Sequence, residues 1–484
     1  MLRITVRQAM VLMKARLLNP GADTGKQLPA VSIDSRTMVE GQAFFAIVGE
    51  KQNGHRFLSN VVAGKPGVVV VSDPSALASG KSRTLQSDRI WNENFYEGNT
   101  SASFLQVSDT TKALQDLARG IRNLWNGPLI GITGSMGKTT TRYYASSLLQ
   151  EVCPVHSTNG NLNNHIGLPL SLINLENHHA VSILELGMNH AGEIRLLAGI
   201  CRPDTAVITN VAPVHLEFFE SLEKIAEAKA EILENLPPQG IFVYNLDDKL
   251  VTDLARGFQG RKISFGFSAD ADVRISDLEI RDIETTIFNL TIDIWKETVP
   301  VVLRSTGKTG ALNLAAAAAA VIEHGLTPEI LASVSARLSA PGKRGQIFKT
   351  RGITIWDDSY NSNPSALTSL LESVKEIRGF TRIILVLGDM LELGSLSAAL
   401  HESCGRRAAE SGAHALFTVG KEALMISRGA YSEGLPADNI FSFSSSSKAA
   451  KPVREFVREG DLVIVKGSRS VKMEKIIANL REEK

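Results

Sequence analysis

The segment Gly131-Ile-Thr-Gly-Ser-Met-Gly-Lys-Thr-Thr140 constrains the fold more than any other stretch of this chain. It follows an apolar run that reads as a strand and precedes an amphipathic stretch, 140–151, that reads as a helix. At such a junction a glycine-rich turn lets backbone N–H groups face an anion, and the helix N-terminus adds its positive end. In a loop of this kind Lys138 neutralises the β- and γ-phosphates of a nucleotide, and the Thr139 hydroxyl ligates Mg2+. The usual spacing is broken once, because Ile132 stands where the first glycine is expected. What remains is Gly134-Ser135-Met136-Gly137-Lys138-Thr139, followed by Thr140. The competing reading is a strand–helix turn that holds no ligand.

The rest of the chain is consistent with an α/β protein built around that loop. Apolar strands at 129–133, 181–186, 205–210 and 241–245 alternate with helical stretches, which points to a mostly parallel sheet covered by helices. Between 261 and 305 the pattern alternates residue by residue and predicts an antiparallel patch. A third block starts near Pro341, with strands at Ile353–Trp356, Ile383–Leu387, Leu416–Val419 and Leu462–Val465, and reads as a Rossmann-like doubly wound domain. Before the loop, Gln42–Val48 and Gly67–Ser72 read as strands, 80–103 as a long loop or insertion, and Asp109–Asn123 as a helix. The serine run 442–447 reads as a short loop. The expected division is three domains, 1–108, 109–339 and 340–484.

Composition narrows the function classes. The 52 Lys and Arg balance 51 Asp and Glu, so bulk charge suggests neither a nucleic acid nor a membrane partner. The 3 cysteines are far apart, without metal-ligand spacing, so disulfides and zinc are not expected. There is no secretory leader pattern and no apolar run of membrane-spanning length, and the expected location is the cytoplasm, as a monomer.

Seven motifs in order resemble the Mur ligase family over nearly the whole chain. They are the phosphate loop itself, Thr158-Asn-Gly-Asn-Leu-Asn-Asn164, Glu185-Leu-Gly-Met-Asn-His190, Asn210-Val-Ala-Pro-Val-His215, Asp357-Asp-Ser-Tyr-Asn-Ser-Asn-Pro364, Gly388-Asp-Met-Leu-Glu-Leu-Gly394 and Lys466-Gly-Ser-Arg469. The last three are most similar to the family member that adds D-alanyl-D-alanine; Asp34-Ser-Arg36 and Asn53-Gly-His-Arg-Phe57 resemble that member's uridine-nucleotide domain. The resemblance implies three α/β domains: an N-terminal nucleotide-sugar domain, a central P-loop ATPase domain and a C-terminal Rossmann-like domain. It implies a ligase using ATP and Mg2+, with UDP-N-acetylmuramoyl-tripeptide and D-alanyl-D-alanine as substrates and an acyl phosphate between them. The family usually carries a His-Asn pair where Thr309-Gly310 stands, ahead of Asn313.

The resemblance also distributes roles. Gly134 to Thr140, Asn313, Arg344 and Asp358 contact ATP, with Asp358 at the ribose and Arg344, or its neighbour Lys343, at the phosphates. Thr139, Glu185, His215 and Lys229 hold Mg2+, and Lys138, Glu185, His215 and Lys229 are catalytic. Ser35, Arg36, Asn53, His55, Thr158, Asn161, Asn163, Asn164, Asn189, His190, Tyr360, Asn361, Asn363, Lys466 and Arg469 bind substrates. Lys229 has support of its own. Ile225, Lys229, Ile232 and Leu236 recur at i, i+4, i+7 and i+11, which puts a lysine in an apolar helical stripe. Such a lysine either snorkels to solvent or is buried with a lowered pKa. A buried neutral amine can take up CO2 as a carbamate, and the family's lysine at this place is carbamylated. Readings outside this role are a P-loop switch or motor ATPase, a ligase adding the third residue, and a binding homologue without catalysis.

Overall fold

The computed structural model describes residues 2–50, 52–78 and 102–482. The expected insertion at 80–103 therefore lies almost wholly outside the described residues, apart from its last two positions. The described residues gather into two compact units, one of 1–131, 154–187 and 193–203, the other of 132–153, 188–192 and 204–484.

In the first unit the strands are β1 (Arg16–Leu17), β2 (Val31–Ser32), β3 (Ala43–Phe45), β4 (Val68–Val71) and β5 (Ser103–Gln106), in the order β1-β5-β4-β3-β2. All pairs are parallel except β1 with β5. The four consecutive valines of β4 are fully buried, as a parallel strand covered on both faces requires. Asp109 starts the following helix, Thr110–Leu124, by accepting from the N–H groups of Thr111 and Lys112 at 2.7 and 3.0 Å.

β6 (Leu129–Thr133) carries the chain into the phosphate loop. Its first three residues count with the first unit, where the order runs β6-β8-β7 through β8 (Val181–Glu185) and β7 (Val155–Ser157). Its last two count with the second unit and end the run β14-β13-β12-β11-β10-β9-β6. Here β9 is Thr205–Ile208, β10 Ile241–Asn245, β11 Arg261–Gly266, β12 Val273–Ile280, β13 Thr286–Ile292 and β14 Glu297–Leu303. The antiparallel patch is shorter than its sequence pattern suggested. β11 runs parallel to both neighbours, and only β12, β13 and β14 form the meander. In β13 and β14 inward residues are buried and outward ones wet, whereas β11 is buried at three successive positions.

The C-terminal sheet has the order β15-β16-β20-β17-β18-β19, from β15 (Gln346–Thr350), β16 (Ile353–Asp358), β17 (Arg382–Gly388), β18 (Ala415–Val419), β19 (Ile440–Phe443) and β20 (Asp461–Lys466). All pairs are parallel but β15 with β16. Alternate residues of one strand fill two cores: Leu385 and Leu387 join one, Ile384 and Val386 the other. β20 lies between β16 and β17, so the carboxyl ends Asp358, Lys466 and Gly388 are neighbours at a change of strand order, where open α/β sheets hold ligands. The serine run is not a loop. It spans the end of β19, two bend residues and the start of the helix Ser446–Phe456. Among the described residues no helix is long and apolar enough to cross a membrane.

Burial of histidine makes stability depend on pH. His156 is 7% exposed, bonds Ser182 Oγ and the Ser171 carbonyl, and is pushed down to about 4 by burial and then by His179. Its folded pKa lies below the unfolded value of 6.5, so the unfolded chain binds the proton first and stability falls as pH drops from about 6.5 towards 4. We expect His156→Gln to be less stable than the parent at pH 8 but to lose on the order of 3 kcal/mol less across that window. Urea unfolding at stepped pH measures this; equal slopes for the two proteins would refute it.

Candidate active site

The phosphate loop is held open by side chains from the end of β9. Met136 donates its N–H to Asn210 Oδ1 at 2.9 Å, and its carbonyl accepts from Thr209 Oγ1 at 2.5 Å and Asn210 Nδ2 at 3.2 Å. Ser135 Oγ exchanges bonds with the backbone of Ala212. Two glycines permit the approach. Gly134, at φ 147°, would place a Cβ 1.9 Å from Thr209 Oγ1, and Gly137, at φ 82°, one 2.2 Å from Asn313 Oδ1. Helix Lys138–Gln150 starts at Gly137, so its first N–H groups point into the loop. Lys138 donates to the loop's own Gly134 carbonyl at 2.6 Å. Thr139 and Thr140 are each 9% exposed. Behind the brace, Asp248 accepts from Val211 N at 2.7 Å while capping helix Lys249–Gly257.

The structure resolves the choice left open at Lys229. It sits on the inward face of helix Leu222–Ala230, 2% exposed, with Ile225 and Ile232 fully buried beside it in the same stripe. Desolvation first, and the charge of Lys138 second, hold its pKa well below the ordinary lysine value. Both causes favour the neutral amine. The helical stripe is finished by a 3-10 turn, Glu231–Asn235, whose Glu231 accepts from Gly192 N at 2.7 Å.

His215 adopts φ 58° and its Nδ1 lies 2.5 Å from Glu392 Oε2. That bond holds the Glu392 carboxyl below its usual range. Asn189 and His190 lie in the short piece of the second unit at 188–192, and the His190 ring packs against that of Phe218, tilted by 50° with centroids 4.6 Å apart. Asn313 is 7% exposed, and its Oδ1 accepts from Thr141 at 3.4 Å, which ties it to the loop's helix. Gly310, in place of the usual asparagine, lies where a Cβ would meet Ser305 Oγ at 2.6 Å, and Thr309 bonds Ser369.

In the first unit Glu185 ends β8 as a 2% exposed carboxylate, accepting from Asn163 Nδ2 at 2.8 Å. Its N–H bonds Thr158 Oγ1 at 3.0 Å. Asn161 accepts from Asn163 N through its carbonyl, and Asn164 turns the chain into helix Gly167–Ile173 by accepting from the Ile166 and Gly167 N–H groups. Arg36 is exposed and doubly bonded to Asp34, which it holds at about 2; Ser35 sits between them. His55 is 6% exposed, with Nδ1 on Asn53 Oδ1 and Nε2 accepting from Ser72 and Asp73 N–H groups. Both its nitrogens are engaged, so it shapes the loop after β4.

At the carboxyl ends of the C-terminal sheet the charges have found one another. Lys466, 3% exposed, donates to Asp358 Oδ2 at 2.5 Å and to the Asn361 carbonyl at 3.1 Å. Burial pushes the Asp358 carboxyl up, against the pull of Lys466. The Arg344 guanidinium lies 3.5 Å from the centre of the Tyr360 ring and that of Arg469 5.9 Å from it. Lys343, at φ 56°, pairs with Glu474 at 3.8 Å. Asn363 caps helix Pro364–Glu376 through Ala366 N. Lys466 and Asp358, assigned by motif to two different ligands, are therefore partners here.

Among the described residues no three His, Cys, Asp or Glu side chains gather as a metal cage. The expected set contains only two such residues, Glu185 and His215; Thr139 and Lys229 supply the rest. Motif reading missed the bracing roles of Thr209, Asn210 and Asp248 and the partner of His215. Thr209 directly precedes the Asn210 motif and Glu392 lies inside the Gly388–Gly394 motif, so both were within reach; Asp248 carried no signal beyond a helix-start aspartate.

Three family profiles match in order: "Mur ligase family, catalytic domain" over 28–122, "Mur ligase middle domain" over 132–321, and "Mur ligase, glutamate ligase domain" over 343–469. The UDP-N-acetylmuramoyl-tripeptide--D-alanyl-D-alanine ligase of Bacillus subtilis is 31% identical over 492 residues, covering 100% of this chain and 99% of its own. The crystal structure of MurF from Acinetobacter baumannii superposes with a TM-score of 0.84 at 26% identity over 99% of each chain. That of MurF ligase from Thermotoga maritima in complex with ADP gives 0.76 at 27% identity, over 94% of this chain and 97% of its own.

The brace makes a direct demand on Gly134. Gly134→Ala forces either the backbone or Thr209 to move, a strain of about 1–3 kcal/mol, so nucleotide affinity should fall roughly ten-fold or more. Gly257→Ala, where a Cβ meets nothing within 4 Å, is the control and should bind like the parent. Titration of a fluorescent ATP analogue measures both; parental affinity in Gly134→Ala would show that the loop is not the phosphate seat.

Proposed function

The chain belongs to the Mur ligase family, and from that premise we infer that it is an ATP-dependent ligase joining D-alanyl-D-alanine to UDP-N-acetylmuramoyl-tripeptide in peptidoglycan precursor synthesis. The observation that carries this reading is the end-to-end match to the Bacillus subtilis ligase of that name, at 31% identity over 100% of this chain. The three α/β parts take the roles of nucleotide-sugar domain (1–108), P-loop ATPase domain (109–339) and Rossmann-like domain (340–484). The enzyme works in the cytoplasm as a monomer.

An amide forms from a carboxylate only after one carboxyl oxygen becomes a leaving group. The γ-phosphoryl of ATP moves to the tripeptide carboxylate, giving an acyl phosphate and ADP. The dipeptide amine then attacks the acyl carbon, a C–N bond forms, phosphate leaves and the nitrogen loses a proton. Transfer between two anions is mostly positioning and charge neutralisation. The first N–H groups of helix Lys138–Gln150, held in place by the braced loop before it, meet the phosphates, and Lys138 exchanges the Gly134 carbonyl for phosphate oxygens. When bound, Mg2+ neutralises the phosphate oxygens and orients them. Thr139, Glu185 and Lys229 as its carbamate offer the oxygen donors that Mg2+ prefers, and His215 adds an imidazole. A buried amine whose ammonium form is disfavoured by burial and by Lys138 fits that use of Lys229.

The remaining assignments follow the motifs. Asp358 contacts the ribose and Arg344 the phosphates, which requires them to leave Lys466 and Tyr360. Tyr360, Asn361, Asn363, Lys466 and Arg469 receive the dipeptide. Thr158, Asn161, Asn163, Asn164, Asn189 and His190 line the muramoyl-peptide side. Ser35, Arg36 and Asn53 contact uridine diphosphate, with His55 supporting their loop.

A coupled ADP-release assay tests the function. Turnover should require both UDP-N-acetylmuramoyl-tripeptide and D-alanyl-D-alanine, with free D-alanine a poor substitute. Efficient turnover of a UDP-muramoyl dipeptide with a free amino acid would assign the third-residue reaction instead.

The carbamate is tested separately. Lys229→Ala should fold, lose nearly all turnover and regain part of it in excess short carboxylic acid, whereas Lys229→Arg should not be rescued because the guanidinium fills the space and keeps its charge. Labelled bicarbonate should give the parent a carbamate ¹³C signal absent from both variants; an active parent without that signal would disprove the modification.

A further inference from the structure

The carboxylate on His215 comes from a different segment, and both sides of the contact are held in costly backbone. His215 and Glu392 both adopt the left-handed region, at φ 58° and 63°. Neither is glycine, and such conformations persist only where surrounding structure dictates them. Two further contacts hold the segments in register. Glu217 N donates to the Glu392 carbonyl at 3.1 Å, and Gly394, at φ 56°, approaches so closely that a Cβ would stand 3.3 Å from Glu217 Cα. Phe218 packs its ring on His190 and donates its N–H to the His215 carbonyl, anchoring the segment on the other side. The Glu392 side chain is 41% exposed, and an ion pair that open to water adds little stability. Stability alone is a poor reason to keep two strained residues for this contact.

The ring chemistry supplies another reason. An imidazole ligand binds a cation through one nitrogen, and the hydrogen bond made by the other decides which nitrogen keeps its lone pair. We propose that Glu392 is the positioning residue of His215: its carboxylate accepts the Nδ1 proton, fixes the tautomer and ring orientation, and leaves Nε2 as the nitrogen that meets the cation. The proposal rests on the reading of His215 as a cation ligand. It also makes cation affinity depend on the Gly388–Gly394 loop of the C-terminal sheet being docked on the segment after β9. Loss of that docking would release the ring as well as the ion.

Mn2+ is the probe, followed by its free-ion electron paramagnetic resonance signal with full-length enzyme and ADP, so that no turnover is needed. Glu392→Ala should weaken Mn2+ binding on the order of 10–100-fold. Glu392→Gln keeps a neutral acceptor and should fall between Ala and the parent. His215→Ala should weaken binding at least as much as Glu392→Ala, and the double variant no further than His215→Ala alone. Metal-free ADP affinity and circular dichroism should match the parent throughout. Parental or tighter Mn2+ binding in Glu392→Ala, with His215→Ala weakened, would overturn the positioning role alone. Parental binding in His215→Ala would overturn the ligand reading and this proposal with it. Additive losses in the double variant would mean that Glu392 acts other than through His215.

Discussion

The clamp on the Met136 backbone is the interaction on which the rest depends. A glycine-rich loop has many conformations, and ordering it at the moment of binding would use up much of the binding energy. Here Thr209 and Asn210 grip the N–H and the carbonyl of one residue, Met136, and so fix the two peptides that flank it, while Asp248 grips the next strand-end residue. The N–H groups of Ser135 and Met136 are thereby tied to Asn210, which leaves those of the first turn of helix Lys138–Gln150 for an anion. Gly134 and Gly137 are needed less for flexibility than for space, since the bracing atoms occupy the positions their Cβ atoms would take.

Lys229 shows the opposite economy. A buried lysine in an apolar stripe costs the fold stability as long as it keeps its charge. The stripe removes water and Lys138 adds repulsion, so both push the amine towards the neutral state. The same features that make it a poor core residue make it a reactive one, which is the pattern expected of a functional site embedded in an otherwise consistent core.

At the C-terminal sheet the balance differs. Asp358 and Lys466 are opposite each other in the register of β16 and β20, so the two strands themselves bring the charges together. A partly buried pair of this kind gains its attraction and avoids leaving either charge unsatisfied. Arg344 and Arg469 are likewise occupied with Tyr360. Binding a ligand here means trading one set of charge contacts for another, which costs less than desolvating free charges and discriminates against ligands that offer less in return.

Local pattern determined the helices, the parallel strands and the phosphate loop, because apolar periodicity, capping residues and glycine spacing act between near neighbours in the chain. The helix at Thr110–Leu124 and the strand Leu129–Thr133 came out within a residue of their expected bounds. Periodicity also placed Lys229 on an apolar face, but a stripe does not say what covers it; only packing from other elements removed the water. The pattern misjudged β11, since alternation cannot tell a parallel partner from an antiparallel one. The partners of Met136, His215 and Lys466 lie 74, 177 and 108 positions away in the chain. No spacing rule spans such distances, because the contacts are set by sheet order and register. Sequence therefore determined which chemistry the chain carries, and tertiary structure alone decided which of those groups are held, which are paired and which are buried where their charge is disfavoured.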